Sequence, residues 1–318
     1  MLLETPFSGS RLCIVGNINR DVKIAAIAPG EHLFADGETS TDFVRETIGG
    51  GGANSALAAA TLGAQVTFMG KVGADSWGTR LEQLLVRNRI RPYLSRDARH
   101  PTGTSVNLVF NSGHRHFVSH LASSRSFNFE DLDTDGLTGS QHLLRADIWF
   151  SESMLFGGNH RLLSLARQNG VATSIDINWD PEWGHAPAAI IRKRKDAVRN
   201  VLPLTDLVHG NVRELTQFAE CDDLHTALQR ITHWGARAVV IHQGRQGSGF
   251  WMKGEHYQQP SVPVSNPVNT TGSGDVLSVC MMLLHHRVDM SVDEKLRFAN
   301  AIVSEYMRGE RVLLPQVE

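Results

Sequence analysis

Short apolar runs closed by glycine or asparagine alternate along this chain with stretches of helical periodicity. Arg11 to Gly16 (R-L-C-I-V-G) has the continuous apolar character of a buried strand, and Gly52 to Gly63 is an alanine-rich helix with a glycine stop. The pattern then predicts a strand over Gln65–Gly70 and a helix over Ser76–Asn88. It continues with a strand over Ile148–Ser153, a helix over His160–Gln168, a strand over Val171–Asn178 and a helix over Arg192–Val201. A strand over Asp206–Asn211, helices over Val212–Ala219 and Asp223–Trp234, and a strand over Arg237–Gly244 follow. Helices over Asp275–His286 and Val292–Arg308 close the series. Strands separated by helices imply βαβ units, so the expected fold class is α/β, a three-layer α/β/α body with a mostly parallel central sheet and right-handed crossovers.

Two segments break the rhythm. Val22 to Ile48 has β-rich pieces divided by A-P-G and A-D-G-E turns and no convincing helix, and Gly103 to Leu121 alternates on both sides of an N-S-G turn, as a hairpin does. Together they predict a small antiparallel sheet over the C-terminal edge of the main one, a lid spanning about 18–48 and 103–122. The segment Q-G-R-Q-G-S-G-F at 243–250 leads into F-W-M-K-G-E-H-Y and reads as a turn and hairpin, not a dinucleotide loop. No repeat and no low-complexity linker divides the chain, so residues 1–318 are expected to form a single domain.

The composition narrows the possible functions. Of 318 residues, 41% are hydrophobic and 20% charged, with a formal net charge of −2. That balance argues against a nucleic-acid surface, which needs a basic excess. The one basic run, Arg192 to Lys195, lies on a predicted helix and is expected to be a solvated face. No apolar run reaches the ~18 residues of a membrane span, and the N-terminus lacks a signal pattern. Three widely spaced cysteines, Cys13, Cys221 and Cys280, fit a reduced, cytoplasmic chain. The histidines of H-R-H at 114–116, His120 and H-H at 285–286 lack the partner spacing of a zinc site, so a polar hairpin face is expected for the first group.

The chemistry concentrates where glycines precede helices. N-T-T-G-S-G-D at Asn269–Asp275 places bare backbone N–H groups and a helix N-terminus beside one carboxylate, an arrangement suited to an anion. Asp275 there is either a helix cap or a general base beside an anion site, and these residues alone leave both open. I-G-G-G-G-A-N-S-A at Ile48–Ala56 opens a second helix and sets Asn54 into it. G-N-I-N-R-D at Gly16–Asp21 puts Asn17, Asn19 and Asp21 past the first strand, where α/β sheets bind ligands. Neither a Walker loop nor a G-x-G-x-x-G after the first strand is present.

These motifs resemble those of the ribokinase-like, or PfkB-type, carbohydrate kinases, and the resemblance covers nearly the whole chain. G-N-I-N-R-D is similar to the family's opening strand with its sugar-binding acid. G-G-G-G-A-N-S-A-L-A-A-A-T-L-G-A with G-K-V-G-A-D-S-W-G is similar to its first signature, and N-T-T-G-S-G-D to its second. D-I-N-W at Asp176–Trp179 and G-N-V-R-E at Gly210–Glu214 resemble its intermediate D-x-N and N-x-x-E motifs.

The resemblance implies ATP-dependent phosphorylation of a hydroxymethyl group on a sugar or sugar-like molecule. It assigns Asp275 as base, with Gly272, Ser273 and Gly274 as an anion hole. Asn19, Asp21, Gly51, Gly52 and Asn54 would bind substrate. Asn211, Glu214, Gly244, Gly247, Thr271 and Asn300 would bind the nucleotide, and Glu214 would reach Mg2+ through water. A homodimer paired through the lid is also implied.

Three departures qualify the picture. Asn269 replaces the aspartate that helps relatives hold a monovalent cation, which puts potassium activation in doubt. Asp180 stands near the place of an arginine in many relatives, and the first signature lacks a lysine that some members carry. An unphosphorylated substrate follows from that shortage of cations, although Arg115, His114 and His116 on the hairpin keep a phosphorylated one open. A nucleoside kinase of the same fold, or a non-catalytic sugar sensor, are the competing readings.

Overall fold

In the computed structural model, residues 7–310 are described, apart from 42, 113, 266 and 269. The main sheet is built from β1 (Arg11–Val15), β4 (Gln65–Gly73), β5 (Ile90–Asp97), β8 (His142–Arg145), β9 (Ala172–Asp176), β10 (Leu207–Asn211), β11 (Ala238–His242), β12 (Ser248–Met252) and β13 (Glu255–Gln259). Its order is β13-β12-β11-β10-β9-β8-β1-β4-β5, parallel from β5 through β11, with the β12–β13 hairpin antiparallel at one edge. A buried parallel strand packs both faces, and β1 shows it: Leu12 and Ile14 join the apolar core on one side, Cys13 and Val15 the core on the other.

The helices divide between those two cores. One face carries α1 (Gly51–Thr61), α2 (Ser76–Arg87), α8 (Ser273–His285) and α9 (Val292–Met307); the other carries α4 (Asn159–Gln168), α5 (Ala188–Arg199), α6 (Val212–Ala219) and α7 (Leu224–His233). Helix α1 is so rich in alanine that it lies close against α8, and Ala53, Ala56, Ala58 and Ala59 are fully buried between its neighbours.

A separate four-stranded sheet has the order β3-β2-β6-β7, from β2 (Asn19–Ile27), β3 (Phe43–Gly49), β6 (Thr104–Phe110) and β7 (Arg115–His120). Its strands leave the C-terminal ends of β1 and β5 and return into α1, which sets the small sheet beside that end of the main one. It is not wholly antiparallel as expected. β2 pairs with β6 in parallel, because both strands run outward from the main sheet, while β3 and β7 are the antiparallel returns.

Other expectations also needed correction. Ile148 to Phe150 turn and Glu152 and Ser153 open a helix, and the strand lies earlier, at His142–Arg145, where each of the four residues is buried. Polar side chains at its two ends, a histidine and an arginine, hide that strand from an apolar-run criterion. The basic run of α5 is only half solvated: Arg192 and Lys193 face water, but Arg194 and Lys195 are buried. Arg194 makes a bidentate pair with Asp180, Nε to Oδ2 at 2.8 Å and Nη2 to Oδ1 at 3.0 Å, and gives a further bond to the Trp149 carbonyl at 2.6 Å. Asp180 is therefore an internal strut at 0% exposure, not a pocket residue. The W-D-P-E-W connector anchors in the core, with Trp183 packed edge-on against both Trp149 and Trp179.

Removing one partner of a buried ion pair leaves the other charge uncompensated, at a cost of about 3–5 kcal/mol. Asp180→Ala is expected to lower unfolding free energy by an amount in that range, read from urea denaturation followed by tryptophan fluorescence.

Candidate active site

Three strand ends and two helix starts supply the functional side chains. At the first helix start, the glycine loop before α1 is held by Asp147, two residues past the end of β8. Its Oδ2 accepts the backbone N–H of Asn17 at 2.9 Å and of Gly52 at 2.8 Å, and its Oδ1 that of Gly51 at 3.2 Å. Asp147 has a left-handed backbone (φ 54), and its own N–H donates to Asn178 Oδ1 at 3.2 Å. Beneath it lies Arg145, fully buried, whose Nε donates to Asn159 Oδ1 at 2.7 Å. Burial pulls the Arg145 pKa down to about 10, against the opposing pull of Asp147.

That anchored loop brings Asn54 out of α1 toward α8. Asn54 Nδ2 donates to Asp275 Oδ2 at 3.1 Å, joining residues 221 apart in sequence. Asp275 sits in the first turn of α8, preceded by Gly272, whose φ of 84° is a conformation that favours glycine. Some of the Asp275 residue reaches solvent, while its carboxyl group is crowded by protein. Burial raises its pKa to about 7; Asn54 opposes the rise, and the charges of Asp147 and Glu214 add to it. Ser273 Oγ donates to the Thr270 carbonyl at 3.0 Å, and Tyr306 Oη to the Thr271 carbonyl at 2.5 Å, so the loop shape is fixed from α9. Arg115, from β7 of the small sheet, hydrogen-bonds Thr271 Oγ1.

Asp21 lies on β2 opposite Thr47 of β3, with Asn19 Nδ2 donating to its Oδ1 at 2.5 Å. A Cβ on Gly49 would fall 2.1 Å from this carboxyl, so the glycine is required by close approach. Burial raises the Asp21 pKa to about 7, partly offset by the Asn19 bond. At the end of β10, Asn211 and Glu214 form a reciprocal capping box on α6: Asn211 Oδ1 accepts the Glu214 N–H at 2.9 Å, and Glu214 Oε2 accepts the Asn211 N–H at 2.9 Å. Asp176, buried at the end of β9, is pushed well above the carboxylate range by burial first, then by the charges of Glu214 and Asp275. Among the described residues, no group of three or more His, Cys, Asp or Glu is arranged to hold a metal ion directly.

A cleft of about 720 Å³ runs from Asn211 past Ser273 and Gly274 to Asn300. Gly244 and Gly247 form part of its wall, on the 3-10 turn between β11 and β12. Asn300 is part of the same wall, but its amide is occupied internally. Its Nδ2 donates to the carbonyls of Gln259 and Pro260, and its Oδ1 accepts from Ser248 Oγ at 2.8 Å. Of the residues named from sequence, Asn19 and Asp21 meet on β2, Gly51, Gly52 and Asn54 share the start of α1, and Asn211, Gly244, Gly247, Ser273, Gly274 and Asn300 line the cleft. Asn269 lies outside the described residues. Asp147 was not anticipated; the signal available was a lone acid just past a strand in R-A-D-I-W. Asp176 was noted only as part of a motif.

Residues 10–306 match the pfkB family carbohydrate kinase description. The chain belongs to that family. It is a sugar kinase, and the kinase is 25% identical to a fructokinase of Klebsiella pneumoniae over 245 residues, 76% of this chain and 77% of that protein. It is 24% identical to a ribokinase of Bacillus subtilis over 294 residues, covering 92% and 91% of the two chains. Among solved structures, the Thermotoga maritima ribokinase superposes with a TM-score of 0.74 at 19% identity, covering 96% of each chain. An E. coli protein described as a candidate ribokinase II, solved in complex with ATP and Mg2+, superposes with a TM-score of 0.79 at 20% identity, covering 94% of this chain and 93% of that one. At these identities the superpositions establish the kinase's fold.

An asparagine in place of Asp147 keeps one acceptor oxygen and turns an N–H2 toward backbone donors. Asp147→Asn is expected to lose about 1–3 kcal/mol of stability, measured by urea denaturation, and to loosen the glycine loop first, seen as faster amide exchange at Gly51 and Gly52.

Proposed function

We propose that the kinase transfers the γ-phosphoryl group of ATP to a hydroxymethyl group of an unphosphorylated sugar or sugar-like molecule, with Asp275 as general base. The observation that carries this is the Asp275 carboxyl, hydrogen-bonded to Asn54 and raised to about 7, at the mouth of an amide-rich loop that opens the cleft. A base with a pKa near the working pH combines a useful ionised fraction with real affinity for the proton. The hydroxyl oxygen forms a bond to the γ-phosphorus, the bond from that phosphorus to the β–γ bridging oxygen breaks, and the hydroxyl proton passes to Asp275. Backbone N–H groups of Gly272, Ser273 and Gly274 face the charge that builds on the transferring group.

On one side of that point, Asp21 and Asn19, with Gly51, Gly52 and Asn54, would hold substrate hydroxyls. On the other, Asn211, Gly244, Gly247 and Thr271 would border the nucleotide, and Asn300 would fix the wall it rests on. The residues also suit Mg2+ carried in on ATP phosphates, a hydrated ion that takes one or two carboxylates from the protein. Glu214 offers such a carboxylate beside Asp176, and Glu214 and Asn211 would hold the ion through water. Its contribution there is to offset phosphate charge. The small sheet acts as a lid, with Arg115 reaching the loop that Asp275 follows. Val44, Phe117 and Val118 are exposed apolar residues on that sheet, and pairing with a second copy would cover them.

Because the base must be ionised, kcat/KM is expected to rise with pH through an apparent pKa near 7. Asp275→Asn is expected to lower kcat by roughly 10²–10⁴-fold while sugar binding persists. Coupled ADP release over a panel led by fructose, ribose and adenosine, across pH 5–9, reads both effects; unchanged turnover in Asp275→Asn would exclude this base. Sedimentation at micromolar concentration is expected to give a dimer that Phe117→Glu returns to monomer.

A further inference from the structure

A second cavity, about 750 Å³ in volume, opens at the opposite end of the main sheet, below the N-terminal ends of β1, β4 and β5. Four arginines border it: Arg11 at the start of β1, Arg87 at the end of α2, Arg89 in the turn that follows, and Arg91 on β5. None of the described residues lining it is Asp or Glu, and none of the four guanidinium groups is paired with a carboxylate among the described residues. Some arginines elsewhere on the surface are paired, as Arg96 is with Glu82, Arg161 with Glu130 and Arg287 with Asp289; what marks these four is that they converge on one hollow that no carboxylate of the described residues lines.

Two of the four are already positioned. Arg11 Nε donates to the Gly139 carbonyl, and the Arg91 guanidinium stacks 4.9 Å from the Tyr93 ring centroid. Arg87 and Arg89 hold no ion pair among the described residues.

The plain alternative is that arginines at helix ends complement the helix dipole, since α1 and α2 both finish here. That accounts for Arg87 at most. The last carbonyls of α2 are met by the Asn88 side chain, at 2.8 Å to the Leu84 carbonyl, and by backbone N–H groups, so no guanidinium is needed there. Arg11 and Arg91 stand on strands, and Arg89 takes a left-handed backbone (φ 60) outside the helix. Four like charges around one hollow repel one another, and a fixed concentration of guanidinium groups is matched by an anion with several oxygens. Asn88, Gln65, Thr138 and Ser140 supply neutral polar groups on the same walls.

We infer that this cavity binds a small phosphate-bearing anion, a phosphate ester or a short polyphosphate, through Arg11, Arg87, Arg89 and Arg91. The site is separate from the catalytic cleft: the two lie at opposite ends of the strands and share no residue. It does not depend on the identity of the phosphoryl acceptor.

Calorimetric titration of the full chain with pyrophosphate, and separately with fructose 1,6-bisphosphate, tests the inference. Asp275→Asn is the background and no nucleotide is added, because ATP is itself a polyphosphate; any binding at the catalytic anion loop is common to all the arginine variants and cancels in the comparison. The wild-type arginine set is expected to bind one equivalent more of one probe or both than the glutamine variant, and which one binds separates a polyphosphate from an ester. Arg87→Gln with Arg91→Gln is expected to weaken binding roughly tenfold or more, as loss of charge-assisted hydrogen bonds does. Arg87→Lys with Arg91→Lys, which keeps the charge, is expected to fall between the two. Equal isotherms in all three proteins, or no heat from either probe at millimolar concentration, would overturn the assignment. A melting temperature within error of wild type in the glutamine variant shows that any loss is one of binding.

Discussion

The catalytic end of this kinase depends on a carboxylate that touches no substrate in the scheme proposed here. Asp147 gathers the N–H groups of Asn17, Gly51 and Gly52, and through them fixes where β1 ends and α1 begins. A glycine-rich loop has little side-chain packing to define it and much backbone entropy to lose. A buried anion accepting three N–H groups supplies the missing definition. Only because α1 starts at that point does Asn54 meet Asp275 on α8, at the far end of the sequence. Asp147 also lends Asp275 part of its raised pKa, so a single charge serves both position and acidity.

Such an anion needs support below. Arg145 lies under Asp147 at 1% exposure and spends its donors on Asn159 and on the carbonyls of Val15 and Ala146. The polar character continues across the sheet. His142 Nε2 lies 2.7 Å from Ser174 Oγ, which also lies 3.3 Å from His209 Nε2, and burial holds both histidines well below their ordinary pKa. Neutral imidazoles pack as large, shape-specific side chains, so these strands tolerate them where a charge would be costly, although His209 Nδ1 is buried without a partner among the described residues. The same substitution of polar for apolar residues made β8 invisible to a hydrophobic criterion.

What could be read from the residues alone follows from this contrast. Glycines before helices, the acid after them and the asparagine set into α1 announce themselves because each is anomalous in its local setting. N-x-x-E was legible as well, and the structure adds that the pair closes a capping box at the start of α6. Asp147 was not legible, since an acid after a strand is ordinary until the loop it binds is known to lie beside it. Asp180 and Arg194 were misjudged for the reason that pairing 14 residues apart cannot be seen in a charge run. The parallel pairing of β2 with β6 was hidden by distance too, because hairpin-like spacing reveals only the antiparallel partners.

The carboxyl groups at the strand ends also bear on how such a site favours its complete state. Asp147 and Glu214 add to the raised pKa of Asp275, and all three add to that of Asp176, so negative charge at these strand ends is held at a cost. On the proposed reading, a cation held near Glu214 would offset part of that repulsion while the phosphates it accompanies would add to it, so the balance of the two would set how readily Asp275 ionises. A carboxyl already poised near 7 would need only a small net change in its surroundings to shift its protonation, with no need for Asp275 to move.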